Sequence, residues 1–130
     1  MNMKICFIPF VLLSIVLVLL TGCNDQPFPE AAYPILETLP VTNVGPSGAT
    51  FSAVTVQAGT EEVLNRGFVW STHAGVTVQS GTRIDVGPGD GNFEAVLSST
   101  LTNGTMYYVK AYVVTKGFTV YGPVQEFKNN

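Results

Sequence analysis

Residues 101–115, LTNGTMYYVKAYVVT, carry the clearest strand pattern of the chain. Asn103 tolerates turn conformations, and residues 106–115 after it are rich in aromatic and β-branched side chains, which is typical of a strand. Successive side chains of a strand point to opposite faces. One face of this strand would carry Tyr107, Val109, Ala111 and Val113, and the other Tyr108, Lys110 and Tyr112. We predict that the first face lies in a core and that the second faces outward.

Similar runs recur along the chain and alternate with Gly, Pro, Asn and Asp clusters, the pattern of an all-β sandwich or barrel. We predict strands at 36–43, 48–57, 63–71, 75–78, 82–86, 92–98, 106–115 and 118–128. The run from Gly87 to Gly91 must form a turn, because Pro88 lacks a backbone donor and glycine readily takes positive φ. No stretch after Cys23 keeps an apolar period of 3.6 residues, so no helix is expected there. The predicted class is all-β, an antiparallel β-sandwich of seven or eight strands.

The start of the chain differs sharply from the rest. A weakly basic opening leads into ICFIPFVLLSIVLVLL, residues 5–20, which carries no charge and is typical of the apolar centre of a secretory signal. An uncleaved membrane helix is the alternative, since the run approaches the roughly 20 apolar residues that span a bilayer. Pro9 and Ser14 weaken such a helix, and no Lys or Arg follows as an interfacial anchor, so we favour the signal.

Leu20-Thr21-Gly22-Cys23 closes this apolar run. It resembles the lipobox of bacterial lipoprotein precursors, with Leu three residues before a cysteine and small residues between them. The resemblance implies cleavage before Cys23 and acylation of that cysteine, so that residues 1–22 form the signal peptide and residues 23–35 a lipidated tether. Each CH₂ group buried in the bilayer contributes about 0.8 kcal/mol to membrane binding, so several acyl chains on Cys23 would anchor the chain firmly to a membrane.

The cell envelope is the location that this resemblance implies. Asn24 and Asp25 follow the cysteine, and an aspartate-rich start can govern sorting between the inner and outer membranes in such lipoproteins. We therefore favour the outer membrane. The segment from Asn24 to Pro34 contains three prolines, and at roughly 3.1 Å per residue it would lift the domain about 30 Å from the bilayer.

Composition excludes several function classes. The chain after residue 22 has five Lys and Arg against nine Asp and Glu, a net charge of −4, which argues against nucleic acid because phosphate binding needs clustered cations. Cys6 leaves with the signal and Cys23 is used for lipid, so no disulfide or thiolate ligand is expected. His73 is the only histidine, which makes it a poor metal ligand or general base.

Two groups of acidic and amide side chains could form a catalytic pair or a metal site, but ordinary polar turns explain both better. Glu61 and Glu62 are adjacent and would point oppositely in a strand, so we interpret them as a polar hairpin. Asp85, Asp90 and Asn92 lie in a glycine-rich loop that faintly resembles a calcium site, but the alternating acids and bidentate Glu of an EF-hand are missing. Without a nucleophile, base and orienting group, we expect no enzyme, no cofactor and no metal.

Segments throughout the mature chain resemble the fibronectin type III-like modules of bacterial exported lipoproteins. They are PVTNV at 40–44, SGAT at 47–50, NRGFVWST at 65–72, GNFEAVL at 91–97, LTNGTMYYVKAY at 101–112 and YGPVQEF at 121–127. The resemblance implies one module over residues 36–130. Leu101, Thr105 and Tyr107 are similar to its tyrosine corner, in which the Tyr hydroxyl bonds upstream backbone. Asn103 stands where the family commonly has proline.

Two aromatic features could bind a partner. Tyr108, Lys110 and Tyr112 would form an exterior face suited to stacking on sugars or to protein contact, although an ordinary exposed strand explains them as well. Trp70 could be an exposed platform, but the resemblance favours a core position. We therefore expect a non-catalytic binding or interaction module for a protein or glycan partner, with a structural spacer or assembly subunit as the alternative.

Overall fold

The computed structural model describes residues 32–130, which form nine strands and no helix. The strands are β1 Ile35–Thr38, β2 Thr42–Gly45, β3 Gly48–Gln57, β4 Val63–Ser71, β5 Thr82–Asp85, β6 Phe93–Ser98, β7 Met106–Thr115, β8 Thr119–Tyr121 and β9 Gln125–Lys128. The predicted signal peptide, Cys23 and the tether up to residue 31 lie outside the described residues. Among the residues described, there is no helix long and apolar enough to cross a membrane.

Two antiparallel sheets pack face to face. In the first sheet β3 is central, with β6 on one side and β1 and β2 sharing the other. In the second the order is β5-β4-β7, and β8 and β9 share the far side of β7. With each shared side counted as one interrupted strand, the layers contain three and four strands. This is an antiparallel β-sandwich of the immunoglobulin-like kind, and the predicted all-β class is confirmed.

Prolines divide two of the predicted strands. The predicted strand 36–43 is interrupted at Pro40, which separates β1 from β2, and the predicted strand 118–128 is interrupted before Pro123, between β8 and β9. Proline has no N–H to donate to a ladder, so pairing with β3 or β7 stops and restarts beyond it. The boundaries of β3, β4 and β7 are those predicted.

The core lies between the two sheets and is formed by inward-facing residues of both. Phe51 is central, with ring centroids 5.6 Å from Phe68 and 5.4 Å from Phe127. Such aromatic pairs contribute roughly 0.5–1.5 kcal/mol beyond the area they bury. The predicted core face of β7 is confirmed, since all four of its residues are buried: Tyr107, Val109, Ala111 and Val113.

The connection between β4 and β5, residues 72–81, forms a strap over the outer face of the four-stranded sheet. Its residues 75–78, predicted as a strand, pair with no strand of the described chain. Val76 is buried and packs with Val69 of β4 and Tyr112 of β7. The prediction that Tyr112 belongs to an exposed exterior face is therefore wrong. Its side chain points away from the core, as predicted, but the strap covers it to 0% exposure.

Candidate functional site

The described chain enters the sandwich at one end. The Ala32 carbonyl accepts a hydrogen bond of 3.2 Å from the backbone N–H of Glu61, and Tyr33 meets Phe118 edge to face with ring centroids 5.8 Å apart. Pro34 is buried. Residues 32–35, predicted as tether, are thus part of the folded domain, whose start lies before the predicted boundary at residue 36.

Three strand connections meet at this same end. Ile35 pairs with Gln57 at the end of β3, and Val63 pairs with Thr115 at the end of β7. The connections 58–62, 86–92 and 116–118 follow β3, β5 and β7 there. We call these three connections the loop end. Loops on a rigid sandwich commonly carry binding residues, and in antibody variable domains the loops of one end form the binding surface.

Two open recesses flank the loop end, and Glu61 and Glu62 line both. The first has a volume of about 580 Å³ and is completed by the 58–62 and 86–92 connections, including Asp90. The second has a volume of about 550 Å³ and includes Leu64 and Lys116. Three carboxylates and one ammonium group therefore line the two recesses together, which makes the loop end acidic. The interpretation of Glu61 and Glu62 as a hairpin is wrong, because β3 and β4 lie in different sheets and do not pair. The two residues stand in a connection between the sheets, and both line the same recesses.

The carboxylates of the loop end have no basic partner in the described part of the chain. Its single ion pair is between Arg83 and Asp85, away from these recesses. One carboxylate oxygen of Glu61, Oε2, is buried without a hydrogen-bond partner among residues 32–130. A buried carboxylate oxygen without a partner is costly, and the residue that carries it lines both recesses. A cationic group bound beside Glu61 would offset part of that cost.

Arg66 holds the 86–92 connection through its backbone. Its Nη1 donates to the backbone carbonyls of Asp90 at 2.9 Å and Gly91 at 3.3 Å, and its guanidinium lies 5.3 Å from the centroid of the Phe93 ring. Positive φ angles at Gly87 and Gly89, 104° and 124°, confirm the predicted turn. The loop end is thereby held in one shape while its acidic side chains stay available.

The oxygen ligands of the calcium-like loop do not converge. Asn92 Oδ1 accepts from the backbone N–H of Thr55 at 3.1 Å, and Asp85 is held by Arg83 at 3.0 Å. Across residues 32–130 no three His, Cys, Asp or Glu side chains are grouped so that they could hold a metal ion. His73, the other residue considered for metal, is exposed in the strap.

The predicted aromatic face is smaller than expected. Tyr108 is half-buried, and Lys110 Nζ lies 5.6 Å from the centroid of the Tyr121 ring, to which it is a cation–π neighbour. The Tyr121 hydroxyl in turn accepts from the backbone N–H of Val78 in the strap, at 3.0 Å. With Tyr112 covered, only Tyr108 and Lys110 remain from the predicted set, and Lys110 is already engaged.

The buried Tyr112 belongs to a small electrostatic cluster. Its hydroxyl donates to a carboxylate oxygen of Asp85, and burial together with that carboxylate raises the pKa of Tyr112. The hydrogen bonds from Arg83 and then Tyr112 lower the pKa of Asp85. These hydrogen bonds join β4's neighbours β5 and β7 on the face that the strap covers. The Tyr112 hydroxyl is already bonded to the Asp85 carboxylate, which also accepts from Arg83.

The residues predicted for the tyrosine corner lie together at the opposite end of the sandwich. Tyr107 Oη accepts a hydrogen bond of 2.8 Å from the Thr102 backbone N–H, which is the upstream backbone contact that the resemblance implies. Leu101 is buried and Thr105 is half-buried. Trp70 points inward, with its ring centroid 5.8 Å from that of Tyr107, so the preferred core position is the one observed.

Sequence reasoning missed the convergence at the loop end. Glu61, Asp90 and Lys116 lie in three separate connections, and nothing in their local sequence shows that they meet. A usable signal was the order of the strands, because successive antiparallel strands return alternate connections to the same end. The eight predicted strands, however, place the connections after 57 and after 115 at opposite ends. The two meet because residues 75–78 form no strand, which restores the alternation.

Comparisons with known proteins bear on the fold alone. No protein-family model matches the chain, and no curated protein matches it. Among solved structures, it is similar to the sensor domain of the anti-sigma factor RsgI4 of Pseudobacteroides cellulosolvens. The TM-score is 0.56 and the identity 14%, over 74% of this chain and 93% of that one. At this identity the likeness supports a shared sandwich architecture and nothing about function.

Proposed function

We propose that this chain is a non-catalytic lipoprotein of the cell envelope, anchored through acylated Cys23, whose sandwich domain binds a protein or glycan through its loop end. The domain is proposed to be a fibronectin type III-like module, and the outer membrane is the proposed location. The anchor rests on the sequence: the uncharged run at residues 5–20 ends in Leu20-Thr21-Gly22-Cys23.

The observation that carries the binding role is that the chain enters at the loop end. Tyr33 packs on Phe118, which lies in the 116–118 connection itself. If Cys23 is held in a membrane, the residues up to Tyr33 can separate the loop end from the bilayer by about 30 Å at roughly 3.1 Å per residue. The loop end therefore lies next to the tether, within about 30 Å of the bilayer, and its partner lies in this layer.

Charge defines the chemistry of that partner. Glu61, Glu62 and Asp90 line the first recess without a basic residue among its lining. Hydrogen bonds between a carboxylate and a cationic donor are roughly twice as strong as neutral ones. A Lys- or Arg-bearing protein segment, or a glycan with free amino groups, fits this surface better than a neutral sugar does.

The test measures binding of the full chain, in detergent micelles, to two cationic probes and one neutral probe. The cationic probes are an oligolysine peptide and a chitosan oligosaccharide, and the neutral probe is the fully N-acetylated oligosaccharide. We expect salt-sensitive binding of the cationic probes only. Glu61→Gln with Glu62→Gln should weaken it about tenfold or more, equivalent to about 1.4 kcal/mol.

A matched control removes two charges elsewhere. Glu94→Gln with Glu126→Gln makes the same change of net charge on exposed residues of β6 and β9, and it should leave binding unchanged. Equal loss in both double variants would reduce the effect to net charge and contradict a loop-end site. Stronger binding of the neutral oligosaccharide than of the cationic probes would contradict the proposed ligand chemistry. If Tyr108→Ala then abolished binding of the neutral oligosaccharide, the site would lie on the remaining aromatic face.

The alternative role as a structural spacer or assembly subunit has one observation in its favour. Strand β6 leaves one of its sides without a strand partner in the described chain. An open sheet edge is a template for pairing with another strand.

A further inference from the structure

Most sheet edges of the described domain are protected from pairing with another chain, either by breaks in the edge strand or by charged residues. On the three-stranded sheet, β1 and β2 are separated at Pro40, and both pair irregularly with β3. On the four-stranded sheet, β5 has only four residues and carries the Arg83–Asp85 ion pair. Short strands, prolines, irregular pairing and charges are the usual means of preventing edge-to-edge association.

The other edge of the four-stranded sheet is guarded in the same way. β8 has three residues and β9 four, and Pro123 lies in the break between them. The outward residues of β9 include Glu126 and Lys128, which are exposed. This edge is too short and too charged to template a long pairing.

Strand β6 is the exception. It pairs with β3 in unbroken register from Phe93 to Ser98, and it contains no proline, lysine or arginine. Val96, at its centre, is 66% exposed, more than any other large hydrophobic residue of the described chain. A regular strand with an exposed valine at its centre, no proline and a single charge at Glu94 is suited to accept another strand.

We propose that β6 pairs with β6 of a second copy of this chain, in antiparallel orientation about a two-fold axis perpendicular to the sheet. Directly opposite residues in such a pair lie on the same face, so outward residues must meet outward residues. Placing Val96 opposite Val96 satisfies this and sets Glu94 opposite Ser98. Like charges are thereby kept apart, whereas Glu94 opposite Glu94 would repel.

The symmetry also fits a membrane-anchored protein, a point that rests on the proposed function. Two copies in one bilayer are equivalent when their two-fold axis is normal to it. The pair would then lie flat, and the two loop ends, with their entering chains at Tyr33, would point in opposite directions along the surface. Both tethers then start at the same height above the membrane.

The size of the contact sets its strength. A single six-residue edge buries much less than the 1,200–2,000 Å² or so of a stable interface, so a dilute solution would be mainly monomeric. Confinement to a membrane raises the effective concentration of the copies. The pairing is therefore expected in membranes, and that is where it is tested.

The test uses the full chain in native membranes under mild oxidation, with membrane and soluble fractions run separately on non-reducing gels. Val96→Cys should give a disulfide-linked dimer, because opposite Cβ atoms lie about 4.5–5.5 Å apart. The parent chain sets the background from Cys6 and Cys23. Val56→Cys is the matched control, since Val56 is 61% exposed on the central strand of the same sheet, and it should stay at that background.

The register has its own test. Differently tagged Glu94→Cys and Ser98→Cys chains should form a mixed dimer when co-expressed, while neither alone should exceed background. No Val96→Cys dimer above the Val56→Cys control would overturn the proposal, as would a cross-linked product of any mass other than twice the monomer. A dimer present in the soluble fraction alone would retain the pairing and count against the anchor instead.

Discussion

The Tyr107 hydroxyl accepts a hydrogen bond of 2.8 Å from the backbone N–H of Thr102, five residues upstream. This bond joins the start of β7 to the connection that precedes it. Tyr107 is buried and Thr102 is exposed, so the bond joins the core to the surface at the crossing between the two sheets.

Tyr107→Phe should therefore destabilise the domain. The ring stays in the core, but the Thr102 N–H loses its acceptor, and the net contribution of such a hydrogen bond is about 0.5–1.5 kcal/mol. Urea denaturation measures the change in the free energy of unfolding. Tyr108→Phe, on the other face of the same strand, is the control and should change little. Equal values for the two variants would show that the bond does not contribute.

The strap makes a second prediction at Gly81. A side chain there would collide with Val76 and Val69, both buried, and overpacking of this kind costs roughly 1–3 kcal/mol. Gly81→Ala should therefore lower the midpoint of thermal unfolding. Gly75→Ala lies in the same strap with nothing within 4 Å, and it should be neutral. A neutral Gly81→Ala would mean that the strap does not rest on the sheet.

Stability should depend on pH through Asp85. Hydrogen bonds from Arg83 and Tyr112 lower the pKa of Asp85 below its usual 3.8. Its stabilising contribution is thus complete above the unfolded-state pKa and is lost as the pH falls through the lower folded-state pKa. The group is half-exposed, so the contribution is at most about 1 kcal/mol.

Asp85→Asn gives the measurement. The difference in unfolding free energy between wild type and Asp85→Asn should be constant near neutral pH and shrink as the solution becomes more acidic than pH 3.8. Glu126→Gln is the control, because the Glu126 side chain makes no ion pair or hydrogen bond within the described residues. A wild-type advantage that grew on acidification would reverse the sign of the linkage.

Trp70 should tolerate loss of its indole nitrogen. Nε1 is buried with no hydrogen-bond partner among the described residues, which offsets part of what the ring contributes. Trp70→Phe removes that donor and is expected to change stability by less than about 1 kcal/mol, whereas Trp70→Ala should cost about 3–5 kcal/mol. Chemical denaturation of both variants checks this, and a large cost for Trp70→Phe would indicate a partner for Nε1.

Much of the sandwich could be predicted from local pattern. Alternation in residues 106–115 identifies the buried face of β7, because the period of a strand is a local property. The bounds of β3, β4 and β7 follow from the glycine, proline and asparagine clusters beside them. Proline positions could also have divided the first and last predicted strands, since the missing donor at Pro40 is visible in the sequence.

What could not be predicted depends on contacts between distant residues. The period of β7 places Tyr112 on the outward face, but only the position of Val76, far away in sequence, decides that this face is covered. Val76 and Val78 alternate like a strand because both pack on a sheet, although they join no ladder. The acidic recesses likewise need Glu61 and Asp90 to meet across two connections.

Lipid attachment at Cys23 is tested most directly by labelling cells with radioactive palmitate and fractionating their membranes. We predict that the wild type and Cys6→Ser incorporate label, are shortened by removal of residues 1–22, and sediment with membranes. Cys23→Ser should take up no label and stay at full length. A Cys23→Ser protein that is still shortened and still membrane-bound would contradict the anchor, and with it the proposed place of the domain in the envelope.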